Sequence, residues 1–389
     1  MARRASGMKL SESTSWRYRR ARNARSAIAQ VENVFFVATP LQLINALEAR
    51  TALNVRRAAL VVVASRTRRP QVEALTDRRD WDEVFTVPEL HDVTEVSPRL
   101  QLYRSLIRAR RQIDILARRL GKVDGLFLGN YGSPIGRHFA SALEHQHLVL
   151  LDDGIATVAY AKARMHASTG RSRAPTLRRR LRDLAMGFRR HEPEAVSFFT
   201  SYELAAGPDD TIIRNTYARL RSVAKSHGVV PETVFLGQPL VEDRLVAEDT
   251  YVRYVFAAFQ ACGQQRCIYA PHPRESVERL ERMRQILGCE IRSSDLPIEI
   301  EFARSGQLPS ILASFWTSAL DNCRILFGDS DMAIKAFVIA TSDLLSGHED
   351  SYEIYVYLQR LQTAGFEVLE IMPASARANL RLDEAHVSG

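Results

Sequence analysis

The sequence predicts an α/β fold of two halves, each a largely parallel sheet flanked by helices, and three observations carry that expectation. Short apolar runs alternate with amphipathic stretches along most of the chain, the pattern of buried parallel strands joined by helices. Several runs stop abruptly at polar, glycine or proline turns, as at Asp152-Asp153-Gly154 and Pro271-His272-Pro273. The chain is also 389 residues long, more than one hydrophobic core ordinarily organises.

Taken in order, residues 1–30 are rich in Ser and Arg and poor in apolar surface, a composition that leaves a basic disordered tail. The first strand is expected at 31–38, followed by a helix capped by Thr39 with Pro40 in its first turn. A second strand follows at 58–65, a short third at 80–88 and a long basic helix at 98–120. The run 125–128 enters the glycine-rich turn Gly129-Asn130-Tyr131-Gly132. A helix over 137–144 then leads to a strand at 147–151 that ends at the paired acids. An arginine-rich insert occupies 164–192. A strand at 198–202 and a helix over 215–227 complete the first half, and the boundary is placed near Gly228.

The second half opens with Val234-Phe235-Leu236-Gly237-Gln238-Pro239, then a helix over 251–261. The apolar stretch Cys267-Ile268-Tyr269-Ala270 follows. Pro271 and Pro273 remove backbone donors and bias the residues before them to extended geometry, so a strand ends there and leaves His272 at its carboxyl end. Ser276 is placed to cap a helix through Leu287. A short strand at 289–292, Pro297-Ile298-Glu299, a helix around Phe302 and a strand at 311–316 follow, the last ending at Thr317-Ser318.

Net charge is +8, yet residues 1–30 and 164–192 each carry +7, leaving about −6 for the rest of the chain. The basicity therefore belongs to a tail and an insert, which suit anionic lipid headgroups or an acidic polymer. Neither segment interleaves aromatic residues in the manner of single-strand-binding proteins, so no specific nucleic acid is expected. Cys262, Cys267, Cys289 and Cys323 match no zinc spacing or small disulfide framework, which points to a reducing compartment. No run approaches the length of a membrane span, and the arginine-rich start lacks the apolar core of a secretory signal. The expected location is the cytoplasm, with peripheral membrane contact through the basic segments.

In open α/β sheets ligands sit at the carboxyl ends of the strands, so a cleft between the halves is the default site. His272 with Arg274 beside it suits a phosphate. Asp152-Asp153-Gly154 presents two carboxylates, although the same residues are ordinary turn chemistry. Thr317-Ser318 sets two hydroxyls at a strand-to-helix junction, an anion site or a simple helix cap.

In this order the motifs resemble those of the bacterial sialyltransferases, most closely the lipooligosaccharide sialyltransferase and capsular polysialyltransferase families. Those families share an acidic pair followed by glycine, a His-Pro motif and a paired Ser/Thr motif, here Asp152-Asp153-Gly154, His272-Pro273 and Thr317-Ser318. Thr39-Pro40-Leu41-Gln42-Leu43 and the Gly237-Gln238-Pro239 turn also look like that group, and the likeness spans roughly residues 31–345. The paired motif departs mildly, reading Thr-Ser where relatives often read Ser-Ser or Ser-Thr.

The resemblance implies two Rossmann-like domains facing a cleft, the GT-B arrangement, with residues 31–228 on the acceptor side and 229–389 binding a CMP-sugar. It implies an inverting transferase that needs no metal or other cofactor and moves sialic acid from CMP-sialic acid to a glycan or glycolipid hydroxyl. Asp153 is the expected base, with Asp152 second. His272 is the expected donor to the leaving phosphate. Pro273, Arg274, Glu299, Thr317, Ser318 and Gly237 are expected on the donor side, Glu299 at the ribose or base. Thr39, Gln42, Asn130 and Gly154 are expected on the acceptor side. The competing expectations are another nucleotide-activated sugar and a non-catalytic binder of anionic polymers or nucleic acid.

Overall fold

A computed structural model describes residues 31–65, 68–87, 99–129, 131–168, 186–189, 193–223, 227–263, 266–363 and 365–371. The tail, most of the arginine-rich insert and Asn130 lie outside the described residues. The chain forms two sheets, one ending at Arg214 and the other beginning at Gly228.

The first contains β1 (Asn33–Val37), β2 (Ala58–Val62), β3 (Glu83–Thr86), β4 (Lys122–Leu128), β5 (Glu144–Leu151), β6 (Ser197–Thr200) and β7 (Thr211–Arg214), in the order β3-β2-β1-β4-β5-β6-β7. The second contains β8 (Gly228–Leu236), β9 (Arg266–Ala270), β10 (Glu290–Ile291), β11 (Gln307–Ser314), β12 (Ala333–Val338) and β13 (Phe366–Glu370), in the order β10-β9-β8-β11-β12-β13. Neighbouring strands in both are parallel.

The helices around the first sheet are α1 (Pro40–Ala52), α2 (Arg69–Leu75), α3 (Arg99–Leu120), α4 (Pro134–Ala142) and α5 (Ile155–Ser168). The short α6 (Ala218–Val223) links the sheets, and α7 (Glu248–Cys262), α8 (Val277–Leu287), α9 (Ile298–Ser305), α10 (Ser318–Phe327) and α11 (His348–Arg360) accompany the second. This is the α/β fold of two Rossmann-like units that the sequence predicts.

Each sheet reverses its strand order once, beside β1 and β4 in the first and beside β8 and β11 in the second. Crevices form at such reversals because adjacent connections leave in opposite directions. The loops leaving β1, β5, β8, β9 and β11 carry Thr39, Asp153, Gly237, His272 and Thr317. Apolar strand faces fix these loops from below: Phe35 stacks on Phe127 at 4.2 Å between ring centroids, and Phe235 meets Phe315 edge-on at 5.1 Å.

Several elements differ from expectation. The helix expected over 215–227 starts only at Ala218 and is described through Val223; its start is set late because Glu48 accepts from the Arg219 and Leu220 amides at 2.9 and 2.7 Å and Asn215 Oδ1 accepts from Tyr217 N. These acceptors set the helix start. The third strand is shorter than 80–88, since Arg78–Asp80 forms a 3-10 turn capped by Asp77. Helix α4 begins at Pro134, three residues before its expected start, with Ser133 accepting from Ile135 N. Arg164, counted with the basic insert, instead lies within α5 and forks onto Asp210, at 2.9 and 2.6 Å.

Candidate active site

A cavity of about 520 Å³ opens between the carboxyl ends of the two sheets, with Thr39, Arg68 and Asp153 on one wall and His272, Thr317 and Ser318 on the other. Gly237, Pro273, Arg274 and Glu299 also line it.

The first wall is built from one hydrogen-bonded bridge. Thr39 caps α1 by accepting from Gln42 N at 3.2 Å, which turns the Gln42 side chain back over the end of β1. Gln42 Oε1 then accepts from Ala38 N at 2.7 Å, and Gln42 Nε2 donates to Asp153 Oδ1 at 2.6 Å. A Cβ on Gly129 would lie 2.6 Å from Gln42 Oε1, so the bridge depends on glycine there. The Asp153 amide donates to Thr157 Oγ1 at 2.9 Å. Burial raises the Asp153 carboxyl above its ordinary range, opposed by the Gln42 hydrogen bond and the Arg68 charge. A carboxylate raised in this way is a stronger proton acceptor at neutral pH.

Asp152 faces the opposite way. It is 1% exposed and does not line the cavity. Its Oδ2 accepts from Ser201 N at 2.7 Å, and its carbonyl accepts from Asn45 Nδ2 at 3.0 Å. Burial pushes its carboxyl up to about 7. Asp152 ties the end of β5 to the segment after β6, which is a positional task and not the basic role assigned to it as second choice.

On the second wall, His272 Nδ1 accepts from Arg274 N at 3.1 Å. A backbone amide can only donate, so the neutral ring carries its proton on Nε2. Burial and the Arg274 and Arg68 charges hold the imidazole down to about 4, so it is neutral at neutral pH. The His272 amide donates to Glu275 Oε1 at 2.7 Å, and Glu275 Oε2 receives Tyr269 OH at 2.7 Å and Arg279 Nη2 at 3.0 Å. Tyr269 OH meets Tyr251 OH at 2.9 Å, and Tyr251 OH accepts from Gln238 N at 2.9 Å. Gln238 in turn holds both backbone groups of Trp316, its Oε1 accepting from Trp316 N at 3.0 Å and its Nε2 donating to Trp316 O. One buried network thus sets His272, Gly237 and the residue before Thr317 in register. A Cβ on Gly237 would crowd Glu275 and Tyr269.

One residue expected on the donor side is already paired within the protein. Arg274 forks onto Asp243 at 2.7 and 2.8 Å, so much of its charge is already met. Exposed Arg68, which sequence reasoning missed, forms no ion pair among the described residues and faces both His272 and Asp153 electrostatically. Its signal was the basic run that follows β2 at the carboxyl edge of the sheet.

Thr317 caps α10 by accepting from Ala319 N at 3.3 Å, leaving Ser318 at the first helical position. Glu299, in the first turn of α9, is 6% exposed and accepts from Asn322 Nδ2 at 2.8 Å. Asn322 Oδ1 receives Tyr217 OH at 3.0 Å, Asn215 bonds Asn45, and Asn45 bonds Asp152. Sequence reasoning did not find this buried polar line from the acidic loop to Glu299. Among the described residues no three His, Cys, Asp or Glu side chains gather as metal ligands, and no helix is long and apolar enough to cross a membrane.

No curated protein matches the chain. Among solved structures it is similar to MurG of Acinetobacter baumannii, with 9% identity over 91% of this chain and 90% of that one and a TM-score of 0.41. It is also similar to the Escherichia coli heptosyltransferase WaaC, with 12% identity over 91% and 99% and a TM-score of 0.42. A putative UDP-N-acetylglucosamine 2-epimerase from Listeria monocytogenes matches with 10% identity over 79% of each chain and a TM-score of 0.47. The family model described as alpha-2,8-polysialyltransferase matches residues 33–334, which carry every motif of the cleft. The chain belongs to the alpha-2,8-polysialyltransferase family and is a sialyltransferase-like glycosyltransferase of the GT-B type.

Proposed function

We propose that the enzyme transfers sialic acid from CMP-sialic acid to a hydroxyl of a surface glycan, with inversion and without a metal. The observation that carries this reading is the meeting of Asp153 and His272 on opposite walls of one cavity. Asp153 takes the proton of the acceptor hydroxyl as that oxygen bonds to the anomeric carbon of the donor. The bond from that carbon to the phosphate oxygen breaks, and CMP leaves with the electron pair. Attack and departure on opposite faces invert the centre. His272 Nε2–H and the Thr317 and Ser318 hydroxyls donate to the phosphate as its charge grows, where fixed donors are most effective. Arg68 adds a positive charge on the acceptor-side wall. A positioned base of this kind contributes about 10²–10⁴-fold.

The family description favours a sialyl chain as acceptor, and the basic tail and insert would hold the enzyme at an anionic glycan or membrane surface. Thermal stabilisation tests the donor. Ligand at about 100 times its dissociation constant adds about 2.7 kcal/mol, so saturating CMP is expected to raise the melting temperature while UDP leaves it unchanged. Stabilisation by UDP and not by CMP contradicts the reading.

A further inference from the structure

Asp153 lines two cavities. Besides the large cleft, it borders a pocket of about 80 Å³ on the acceptor side, closed by Leu151, Phe198 and the rings of Tyr131 and Tyr160. The two tyrosine rings lie 5.1 Å apart at 46° to each other, and Tyr160 leans on Phe198 at 6.2 Å. Phe198 is fully buried and Leu151 nearly so, which gives the pocket an apolar floor. Its mouth is formed by Ala156, exposed on the first turn of α5, and by Thr157. Thr157 Oγ1 accepts from the Asp153 amide and, among the described residues, donates to no other group.

The pocket has room for a few heavy atoms and not for a sugar ring. Its chemistry is a small apolar end enclosed by aromatic rings with one hydroxyl donor near the opening. We infer that this pocket receives the N-acyl group of the acceptor sugar, its methyl against Tyr131 and Tyr160 and its carbonyl facing the Thr157 hydroxyl. The inference rests on the sialyl-transfer reading and names the part of the acceptor that the site recognises. In a sialyl acceptor the acylamino group neighbours the glycerol side chain that carries the hydroxyls. Seating that group in the pocket brings such a hydroxyl to Asp153 at the partition between the two cavities. Enclosure by aromatic surface suits a methyl group, and a satisfied amide removes the cost of burying its carbonyl. A plain hydroxyl or a free ammonium would find neither.

The test uses a short sialyl oligosaccharide, the same compound with its N-acetyl groups removed, and the Ala156→Leu variant, whose larger side chain occupies the mouth of the pocket. In saturation-transfer NMR of the full chain with CMP present, the N-acetyl methyl protons are expected to carry the strongest enhancement. That enhancement is expected to fall at least fivefold in Ala156→Leu, and de-N-acetylated oligosaccharide is expected to be at least tenfold poorer in acceptor kcat/KM. Persistence of CMP-induced thermal stabilisation in Ala156→Leu shows that the variant is folded. Methyl protons enhanced no more than ring protons, or enhancement unchanged in the variant, overturns the inference. If wild-type enzyme fails to release CMP from CMP-sialic acid, the donor reading falls, while the NMR comparison still decides what the pocket binds.

Discussion

Gly154 and Ser318 meet across the join between the two sheets: a Cβ placed on Gly154 would lie 3.1 Å from Ser318 Oγ. The acidic loop after β5 and the hydroxyl pair at the start of α10 are therefore packed directly on one another, which brings the proposed base and the proposed phosphate donors into one site. Gly154 also has φ +66°, a conformation that costs a residue with a Cβ about 1–2 kcal/mol.

Gly154→Ala is expected to lower stability by about 1–2 kcal/mol and to reduce turnover well beyond that loss of folded enzyme, because the added methyl pushes Ser318 outward. Comparing melting temperature with kcat at saturating donor checks this. Loss of stability with unchanged kcat contradicts the packing argument.

Gln42 lowers the Asp153 pKa by donating to its carboxylate, while burial raises it. Removing the donor in Gln42→Ala leaves burial less opposed, so the Asp153 pKa rises further. The acidic limb of the kcat/KM profile is then expected to move to higher pH, so that the loss relative to wild type grows as pH falls. A uniform loss at every pH indicates that Gln42 acts only by positioning.

Asp152 is raised to about 7 in the folded protein from an ordinary 3.8. Between those values the folded state holds a proton that the unfolded state has lost, so stability falls as pH rises from about 4 to about 7. Asp152→Asn removes this dependence. Its stability relative to wild type is expected to increase across that window, by an amount on the order of 4 kcal/mol. Denaturant titrations at pH 4.5 and 8 check the sign, and parallel wild-type and variant curves contradict it.

How much of this was legible in the sequence depended on distance along the chain. The Thr39 and Ser276 caps and the prolines flanking His272 act within a few residues, and the structure shows those strand ends and helix starts where local chemistry places them. The Gln42–Asp153 bond spans 111 residues and the Tyr217–Asn322 bond 105. Neither residue of such a pair signals its partner. Asp152 and Asp153 are equivalent as neighbours in a turn, and only the packing of Ser201 and Gln42 assigns one to the interior and the other to the cleft. Arg274 looked like a free cation because Asp243 is 31 residues away.

Burial and the nearby Arg274 and Arg68 charges hold His272 down to about 4. A bound phosphate favours the imidazolium and raises that value, so CMP binding between pH 5 and 6 is expected to take up protons at His272. Calorimetry in two buffers of different ionisation enthalpy measures the uptake. His272→Gln, which keeps a side-chain donor, is expected to remove the part due to the imidazole. Equal uptake in wild type and variant contradicts contact between His272 and the phosphate.

In the proposed reaction Asp153 and His272 act on one CMP-sugar from opposite walls of one cleft. Single-turnover release of CMP from CMP-N-acetylneuraminic acid, with wild type, Asp153→Asn and His272→Ala compared side by side, tests it most directly. Release by wild type and at least a tenfold fall in each variant, with both variants folded, are the expected results. Release at wild-type rate in either variant, or none from wild type, would contradict it.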